Sequence, residues 1–452
     1  MNLAQAASVL GGELRGGDVR FLNVCTDSRT LKSGDLFVAL RGERFDGHDF
    51  VAKAAAAGAV AALIDRAHVQ AAPLPVAAVD DTTVALGELA AHWRHQFSIP
   101  VVAVAGSNGK TTVKEMIAAC LRMHFGEGAV LATRGNLNNH IGLPLTLLTL
   151  RSAHRVGVVE VGMNHPGETA ELARIAAPTV AVVNNAQREH QEFMRSVADV
   201  ASEHASLVEA LPAEGIAVIN ADDAHAAVWR KAAGARTVRD FGFSAGAAVT
   251  ASCELQATSA RLAVRTPEGA AVLDLPLAGE HNARNALAAI AAATAAGAAL
   301  DACVRALGGF SAVKGRLQIS RGRHGAQLID DTYNANPDSV RAAIEVLARA
   351  PGRKLLVLGD MGEVGTQGRD FHVEIGAHAR DCGIDALYAM GELATHAVRA
   401  FGDGARHYAA IEALLVDVGA ALGPQVTVLV KGSRFMQMER VVRSLEDSMP
   451  GA

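Results

Sequence analysis

The sequence contains few cysteines, and they follow no pattern typical of a metal or redox site. Five cysteines, an odd number, are scattered over 452 residues, and no two stand in the short C-x-x-C spacing of zinc and thiol-redox motifs. This absence excludes a zinc or redox motif of that kind and favours a reducing, cytoplasmic location.

Basic tracts and long apolar runs are also lacking. There are 42 lysines and arginines against 47 aspartates and glutamates, so the formal net charge is −5 and no basic tract for nucleic acid exists. Any affinity for phosphate must therefore be local. The opening segment lacks the basic start of a signal peptide, and the alanine-rich stretch from Ala283 to Leu300 is predicted to be a buried helix. We expect a monomer without nucleic-acid partners or membrane insertion.

The length predicts about three domains of roughly 150 residues each. Residues 1–82 read as a small α/β domain, and residues 83–310 as a central domain with a doubly wound, mostly parallel sheet. That sheet is predicted from apolar strands alternating with helices, with an antiparallel insertion at 249–276. Residues 311–452 read as a C-terminal Rossmann-like α/β domain, with ligands at the carboxyl ends of its strands. The predicted fold class is therefore α/β with three domains.

The strongest local signal is the segment VAVAGSNGKTTVKEM, in which an apolar strand runs into a glycine-rich turn and then a helix. Glycines let the backbone N–H groups face a phosphate, and the helix N-terminus adds a favourable dipole. Lys110 would reach the outer phosphates and the Thr111 hydroxyl would bind Mg²⁺. The general pattern has glycine where this chain has Val104, and a chance glycine-rich turn is the alternative. The strand-to-helix context favours a P-loop that binds nucleotide.

Two further polar residues follow strands of the same predicted sheet. Glu160 ends the strand in VVEVG, and His190 follows the strand in TVAVVNNA, so both are expected at the sheet edge that carries the phosphate loop. They would supply a carboxylate and an imidazole to Mg²⁺. The alternative is that Glu160 is a solvated strand-end carboxylate and His190 a loop residue.

Asn282 and Asn285 lie three residues apart and share a face of the helix in GEHNARNALAA. Their amides could read a purine edge, although the pattern favours Asn282 as the N-cap of that helix. Arg316 follows a glycine, and Lys431 ends a predicted strand. Isolated basic residues are usually solvated on the surface, and we take this as the default interpretation of both.

The segment DDTYNANPDSV predicts a strand, an asparagine-rich loop and a helix with Pro337 in its first turn. The loop offers Asp331, Tyr333, Asn334 and Asn336 at the carboxyl end of a strand. Capping and turn formation could explain about half of these polar residues.

Together these segments resemble the Mur ligases of bacterial cell-wall synthesis, and the resemblance covers the whole chain. It is carried by GSNGKTT, VVEVGMNHPGE, HNARNALAA and KGR in that order. The resemblance implies three domains that bind a UDP-sugar substrate, ATP and an incoming amine. Within the family, TDSR, RGNLNNHIGLP, DDTYNANPDS and LGDMGEVG are similar to the branch that adds D-alanyl-D-alanine to UDP-N-acetylmuramoyl-tripeptide.

The resemblance also implies roles for individual residues. The ATP phosphates would be held by Gly106, Ser107, Asn108, Gly109, Lys110, Thr111 and Thr112. Magnesium would be bound by Thr111, Glu160 and His190. The remaining nucleotide contacts would come from Asn282, Asn285, Arg316, Asp331, Asn334 and Asn336. The substrate contacts implied are Ser28 and Arg29 for the uridine nucleotide, Asn138 for the muramoyl side, and Lys431 for the closed C-terminal site. Lys110, His190 and Arg316 would be catalytic.

One departure concerns a lysine that many Mur ligases carbamylate to hold a second Mg²⁺, about fourteen residues after the metal-binding histidine. His204 takes that place here, beside Glu203. A second metal would have to be held by Glu203, by His204 or by substrate oxygens and water, and the number of magnesium ions stays open.

The reaction implied is amide formation through an acyl phosphate, with ATP as phosphoryl donor. Three other interpretations remain: a related amide ligase for another acid such as folate or a different muramoyl peptide, a nucleotide-gated binding protein without turnover, and a simple phosphotransferase. The N-terminal TDSR segment argues against folate. The retention of Lys110, Thr111, Glu160 and His190 argues against loss of turnover.

Overall fold

The computed structural model describes residues 1–447 and contains three sheets, each covered by helices. The predicted α/β class, with three mostly parallel sheets in sequence along the chain, is confirmed. The strands of the three sheets lie within residues 13–79, 101–275 and 318–431. The domain boundaries at 82 and 311 stay predictions.

The N-terminal sheet has five strands in the order β1-β5-β4-β3-β2, and β1 is antiparallel to β5 while the other pairs are parallel. The strands are β1 (Glu13–Arg15), β2 (Val24–Cys25), β3 (Leu36–Val38), β4 (Ala61–Asp65) and β5 (Val76–Val79). The helices up to the central domain are α1 (Leu3–Val9), α2 (Val51–Ala56) and α3 (Thr82–Arg94). Asp81 begins α3 by accepting the N–H groups of Thr83 and Val84, and α3 packs on the central domain.

The central sheet has nine strands in the order β14-β13-β12-β11-β10-β9-β6-β8-β7. The strands are β6 (Val101–Ala105), β7 (Val130–Ala132), β8 (Val156–Glu160), β9 (Val180–Val183), β10 (Ile216–Asn220), β11 (Thr237–Gly242), β12 (Val249–Leu255), β13 (Ala260–Thr266) and β14 (Gly269–Leu275). The first six are parallel and β6, β8 and β9 are fully buried, because helices cover both faces. The last three form the predicted antiparallel insertion.

The central helices are α4 (Lys110–Phe125), α5 (Gly142–Leu147), α6 (Glu168–Ala176), α7 (Val197–Glu209), α8 (Ala226–Ala233), α9 (Glu280–Ala295) and α10 (Leu300–Gly308). The alanine-rich α9 is buried against α4 and the sheet, as predicted. Small alanine side chains allow this close packing. Within residues 1–447, no helix has both the length and the apolar character needed to cross a membrane.

The C-terminal sheet has six strands in the order β15-β16-β20-β17-β18-β19, and only β15 is antiparallel to its neighbour. The strands are β15 (Gln318–Arg321), β16 (Gln327–Asp331), β17 (Arg353–Gly359), β18 (Ala386–Met390), β19 (Ala405–Tyr408) and β20 (Val426–Lys431). The helices are α11 (Pro337–Ala348), α12 (Gly368–Asp381), α13 (Ala394–Phe401), α14 (Ile411–Ala421) and α15 (Glu439–Leu445).

Strand order determines where the polar loops meet. In the central sheet β6 lies between β8 and β9, so the loops after these three parallel strands leave from one edge. The phosphate loop follows β6, Glu160 ends β8, and the segment leading to His190 follows β9. In the C-terminal sheet the neighbouring strands β16 and β20 end in Asp331 and Lys431.

The packing of α12 on α13 requires glycine at position 376. A Cβ added to Gly376 would lie 2.1 Å from the backbone oxygen of Ala397, so Gly376→Ala should destabilise the C-terminal domain by about 1–3 kcal/mol. Gly419, inside α14, is the matched control because a Cβ there meets nothing within 4 Å. Gly419→Ala should be neutral or stabilising by up to about 1 kcal/mol. Thermal unfolding of both variants checks this, and equal effects would contradict the packing described.

Candidate active site

The phosphate loop joins β6 to α4 through two glycines with positive φ, Gly106 (139°) and Gly109 (82°). Gly109 is the N-cap of α4, which begins at Lys110. A Cβ at Gly109 would lie 2.7 Å from Asn285 Oδ1 and 2.8 Å from Asn184 Nδ2, so glycine is required there for space as well as conformation. The first N–H groups of α4 have no carbonyl one turn earlier in the helix and are available to an anion.

Lys110 folds back over this loop. Its Nζ donates to the carbonyl oxygens of Gly106 (2.5 Å) and Ser107 (3.2 Å) and lies 3.1 Å from Glu189 Oε2. Burial alone would raise the pKa of the Glu189 carboxyl, but the charges of Lys110, His204 and His190 outweigh it and hold that pKa at about 2. Glu189 is therefore ionised and serves as the counter-ion of the phosphate-loop lysine.

Glu160 is oriented by the residue that the resemblance assigns to the muramoyl side. Asn138 Nδ2 donates to Glu160 Oε1 at 2.8 Å, and Glu160 is only 2% exposed. Its second oxygen, Oε2, has no hydrogen-bond partner within the described part of the chain. An unpartnered buried carboxylate oxygen is costly, and a bound cation would satisfy it.

His190 has a left-handed backbone, with φ of 48°, which is unusual for a residue other than glycine or asparagine. Its Nδ1 lies 2.7 Å from Glu363 Oε2 of the C-terminal domain, and its Nε2 lies 3.8 Å from Glu189 Oε2. The contact with His190 lowers the pKa of the Glu363 carboxyl, against an opposing effect of burial. The imidazole thus connects the central domain to the C-terminal domain.

The C-terminal domain contributes further contacts to the phosphate loop. Arg316 donates to Thr111 Oγ1 at 2.9 Å, and its guanidinium lies over the ring of Tyr333. Asn336 Nδ2 donates to Asn108 Oδ1 at 2.9 Å. Asn336 is also the N-cap of α11, with Pro337 in the first turn as predicted. It therefore makes a helix cap and an interdomain contact together.

These contacts enclose a cavity of about 530 Å³ between the central and C-terminal domains, and α3 forms part of its wall. Its lining includes residues from α3, from the phosphate loop and from the C-terminal domain, among them Thr83, Lys110, Asn138, Glu160, His190 and Asn334. The structure thus brings most of the phosphate, metal and muramoyl candidates to one place.

A second cavity of about 250 Å³ lies on the other side of the loop. Its lining includes Thr112, Asn282, Asn285, Arg316 and Asp331.

The sequence pattern favoured Asn282 as the N-cap of α9. This prediction is wrong, because the helix begins at Glu280 with Gly279 as its cap. Asn282 donates to the carbonyl oxygen of Ala278 from inside the first turn instead. Burial lowers the pKa of the neighbouring His281 to about 4, so its imidazole is uncharged at neutral pH.

Three of the predicted substrate residues lie elsewhere. Ser28 and Arg29 line neither of these two cavities, and Arg29 pairs with Asp27 on the exposed surface of the N-terminal domain. Lys431 is 3% exposed and pairs with Asp331 Oδ2 at 2.6 Å, so its reading as a solvated surface cation is wrong. It holds the strand end that carries Asp331.

The structure also shows which residues could stand in for the absent lysine. Glu203 accepts the backbone N–H groups of Gly167 and Thr169 at 2.9 and 2.8 Å and thereby closes the N-terminus of α6. His204 is 1% exposed and points its Nε2 to within 3.2 Å of Glu189 Oε1. The carboxylate of Glu203 is therefore already used to close the N-terminus of α6. The carboxylate next to His204 in space is that of Glu189.

Sequence reasoning missed several residues of this site. Glu189 and Arg188 precede His190 in the segment after β9, and Arg188 pairs with Asp338 and Glu374 of the C-terminal domain. The position of this segment at a strand end beside the phosphate loop was the available signal. Its charged residues could not be matched with distant partners without the domain arrangement.

Comparisons with known proteins agree with this architecture. The Mur ligase middle domain matches residues 104–293, the glutamate ligase domain of Mur ligases matches 315–434, and the catalytic domain of the Mur ligase family matches 20–94. The chain belongs to the Mur ligase family. This Mur ligase is 42% identical to UDP-N-acetylmuramoyl-tripeptide–D-alanyl-D-alanine ligase of Escherichia coli (strain K12), over 99% of each chain.

Solved Mur ligase structures are similar throughout. A crystal structure of MurF from Acinetobacter baumannii is 35% identical, with a TM-score of 0.91 over 98% of both chains. The MurF ligase of Thermotoga maritima in complex with ADP is 28% identical, with a TM-score of 0.83 over 93% of this chain and 96% of that chain.

The Arg188 cluster should stabilise the closed arrangement of the central and C-terminal domains. Arg188 Nη2 lies 2.6 Å from Asp338 and Nη1 lies 2.7 Å from Glu374, with all three groups half-buried. Arg188→Ala should weaken closure by about 1–2 kcal/mol and increase the radius of gyration in small-angle scattering. Arg305→Ala, which removes an exposed pair within α10, is the control. Identical scattering from all three proteins would contradict this role.

Proposed function

We propose that this Mur ligase joins D-alanyl-D-alanine to UDP-N-acetylmuramoyl-tripeptide while ATP is converted to ADP and phosphate. The observation that carries the proposal is the cavity between the central and C-terminal domains, in which the phosphate loop, the carboxylates of Glu160 and Glu189 and the guanidinium of Arg316 line one space. Similarity to the E. coli ligase over the whole chain supports UDP-N-acetylmuramoyl-tripeptide as the acid and D-alanyl-D-alanine as the amine. The ADP complex of the T. maritima enzyme supports ATP as the nucleotide. We also propose that the protein is monomeric and located in the cytoplasm.

The reaction requires an activated carboxylate, because direct attack of an amine on a carboxylate would have to expel oxide. A carboxylate oxygen of the tripeptide attacks the γ-phosphorus of ATP, and ADP leaves. The amino nitrogen of the dipeptide then attacks the acyl phosphate carbon, and phosphate leaves with the former carboxylate oxygen. The amine loses a proton in this second step.

The positions of two basic residues suit these steps. Lys110 lies at the N-terminus of α4 and would exchange its backbone carbonyl contacts for the β- and γ-phosphates. Arg316 contacts Thr111 across the domain boundary and would stabilise charge on the transferred phosphoryl group and on the tetrahedral intermediate. Closure of the cavity would keep water from the acyl phosphate.

The residues present fit a magnesium ion. Thr111 offers a hydroxyl, Glu160 an unpartnered carboxylate oxygen and His190 an imidazole, and Mg²⁺ favours such oxygen-rich sets. Magnesium held there would offset charge on the β- and γ-phosphates. Asn138 fixes the orientation of Glu160 toward this position.

The remaining site residues have proposed roles that follow their placement. The loop from Gly106 to Thr112 would hold the phosphates, and Asn282 and Asn285 would approach adenine in the second cavity. Additional nucleotide contacts would come from Asp331, Asn334 and Asn336. The uridine end of the substrate would reach Ser28 and Arg29, and Lys431 would act by holding Asp331.

The test is release of ADP by the purified protein with Mg²⁺-ATP and UDP-N-acetylmuramoyl-tripeptide, with and without D-alanyl-D-alanine. ADP should accumulate only when the dipeptide is present, and mass spectrometry should find one dipeptide added to the nucleotide substrate. ADP release without an amide product would indicate a phosphotransferase. Nucleotide binding without any turnover on this acid would contradict the proposed substrate.

Replacing Arg316 tests the proposed charge stabilisation. Arg316→Ala should lower kcat by about 100- to 1,000-fold, because the guanidinium would be lost where charge develops. Arg321→Ala is the control, since Arg321 is exposed on β15 and lines neither cavity near the phosphate loop. Its kcat should match that of the unmodified enzyme. Equal kcat values for both variants would remove Arg316 from the mechanism.

A further inference from the structure

Glu189 is a buried charged group beside the phosphate loop that the proposed mechanism does not use. It lies between Arg188 and His190 in the segment after β9, and its side chain is 5% exposed. It lines the same cavity as Glu160 and His190. Two carboxylates and an imidazole therefore face one space beside the phosphate loop.

Three basic side chains surround Glu189. Lys110 Nζ is 3.1 Å from Oε2, His204 Nε2 is 3.2 Å from Oε1, and His190 Nε2 is 3.8 Å from Oε2. The contact from Lys110 is the shortest of the three. In the arrangement described here Lys110 is also held by two phosphate-loop carbonyls.

Binding of a triphosphate changes this balance. The phosphates attract Lys110, and they bring several negative charges into the cavity that Glu189 already lines. A buried carboxylate that loses its ammonium partner beside phosphates is strongly destabilised unless another cation approaches it. The arrangement thus calls for a cation between Glu189 and the phosphates in the nucleotide-bound state.

Unpartnered oxygens point to the same conclusion. Oε1 of Glu189 and Oε2 of Glu160 are both buried, and neither has a hydrogen-bond partner among residues 1–447. His204 lies close to Oε1 but is not aligned as a hydrogen-bond donor to it. Buried carboxylate oxygens without partners are costly, and a bound cation would satisfy both of them.

We propose that Glu189 is a magnesium ligand, which binds the cation on the His190 side of the cavity once the ATP phosphates engage Lys110. The proposal rests on the proposed function in that Mg²⁺-nucleotide is the substrate. It assigns Glu189 a role beyond that of a lysine counter-ion.

The test counts bound cations with Mn²⁺ in place of Mg²⁺, because free Mn²⁺ is measured directly by electron paramagnetic resonance. The full-length protein is titrated with Mn²⁺ in the presence of saturating ADP. Glu189→Gln keeps the size of the side chain and can still accept a hydrogen bond from Lys110. It should raise the Mn²⁺ concentration for half-saturation by about 10- to 100-fold, or abolish one bound Mn²⁺ per chain.

Glu192→Gln is the matched control, because Glu192 is exposed in the same segment. This variant should bind Mn²⁺ as the unmodified protein does. Glu189→Asp is a second variant, which retains the charge but withdraws the oxygens by one methylene, and it should weaken Mn²⁺ binding by a smaller factor. Thermal unfolding of each variant verifies that it is folded.

The alternative is that Glu189 only neutralises Lys110. In that case Glu189→Gln would bind Mn²⁺ as the unmodified protein does and would bind ADP more tightly in EDTA, which would overturn the proposal. Failure of the unmodified protein to bind Mn²⁺ with ADP would also overturn it. The titration needs no muramoyl substrate and no turnover, so a negative ligase assay would leave its result interpretable.

Discussion

The ion pair between Lys110 and Glu189 is the interaction around which this site is organised. Its atoms are 3.1 Å apart, and it joins the phosphate loop after β6 to the segment after β9. That segment also carries Arg188 and His190, which contact the C-terminal domain. A ligand that moves Lys110 would therefore act on a segment that contacts the C-terminal domain. In this way the phosphate loop is linked to the position of that domain.

Interdomain contacts explain why several polar residues serve two purposes. Asn336 caps α11 and contacts Asn108, while Arg316 stacks on Tyr333 and contacts Thr111. Each residue connects the C-terminal domain to the phosphate loop or to the first turn of α4. A reaction with an acyl phosphate intermediate needs such an arrangement, because the site must assemble around two substrates and keep out water.

Local features of the site could be predicted from the sequence, whereas its long-range contacts could not. The glycines before Lys110 have a distinctive spacing, and Glu160 is placed by the rule that parallel strands end at one edge. The partners of Glu189 come from distant parts of the central domain, and those of Arg188 come from the C-terminal domain, so no local pattern encodes them. The prediction that Asn282 caps α9 is wrong because Gly279, with a positive φ, is the N-cap, whereas in sequence an asparagine near a helix start resembles a cap.

The measurement that tests the account most directly follows the oxygen atoms of the tripeptide carboxylate. With both carboxylate oxygens labelled as ¹⁸O, activation through an acyl phosphate transfers one labelled oxygen to the phosphate released and leaves the other in the new amide. Mass spectrometry of the phosphate should therefore find one ¹⁸O per molecule formed. Phosphate without ¹⁸O, accompanied by amide product, would contradict phosphorylation of the carboxylate and with it the role given to this cavity.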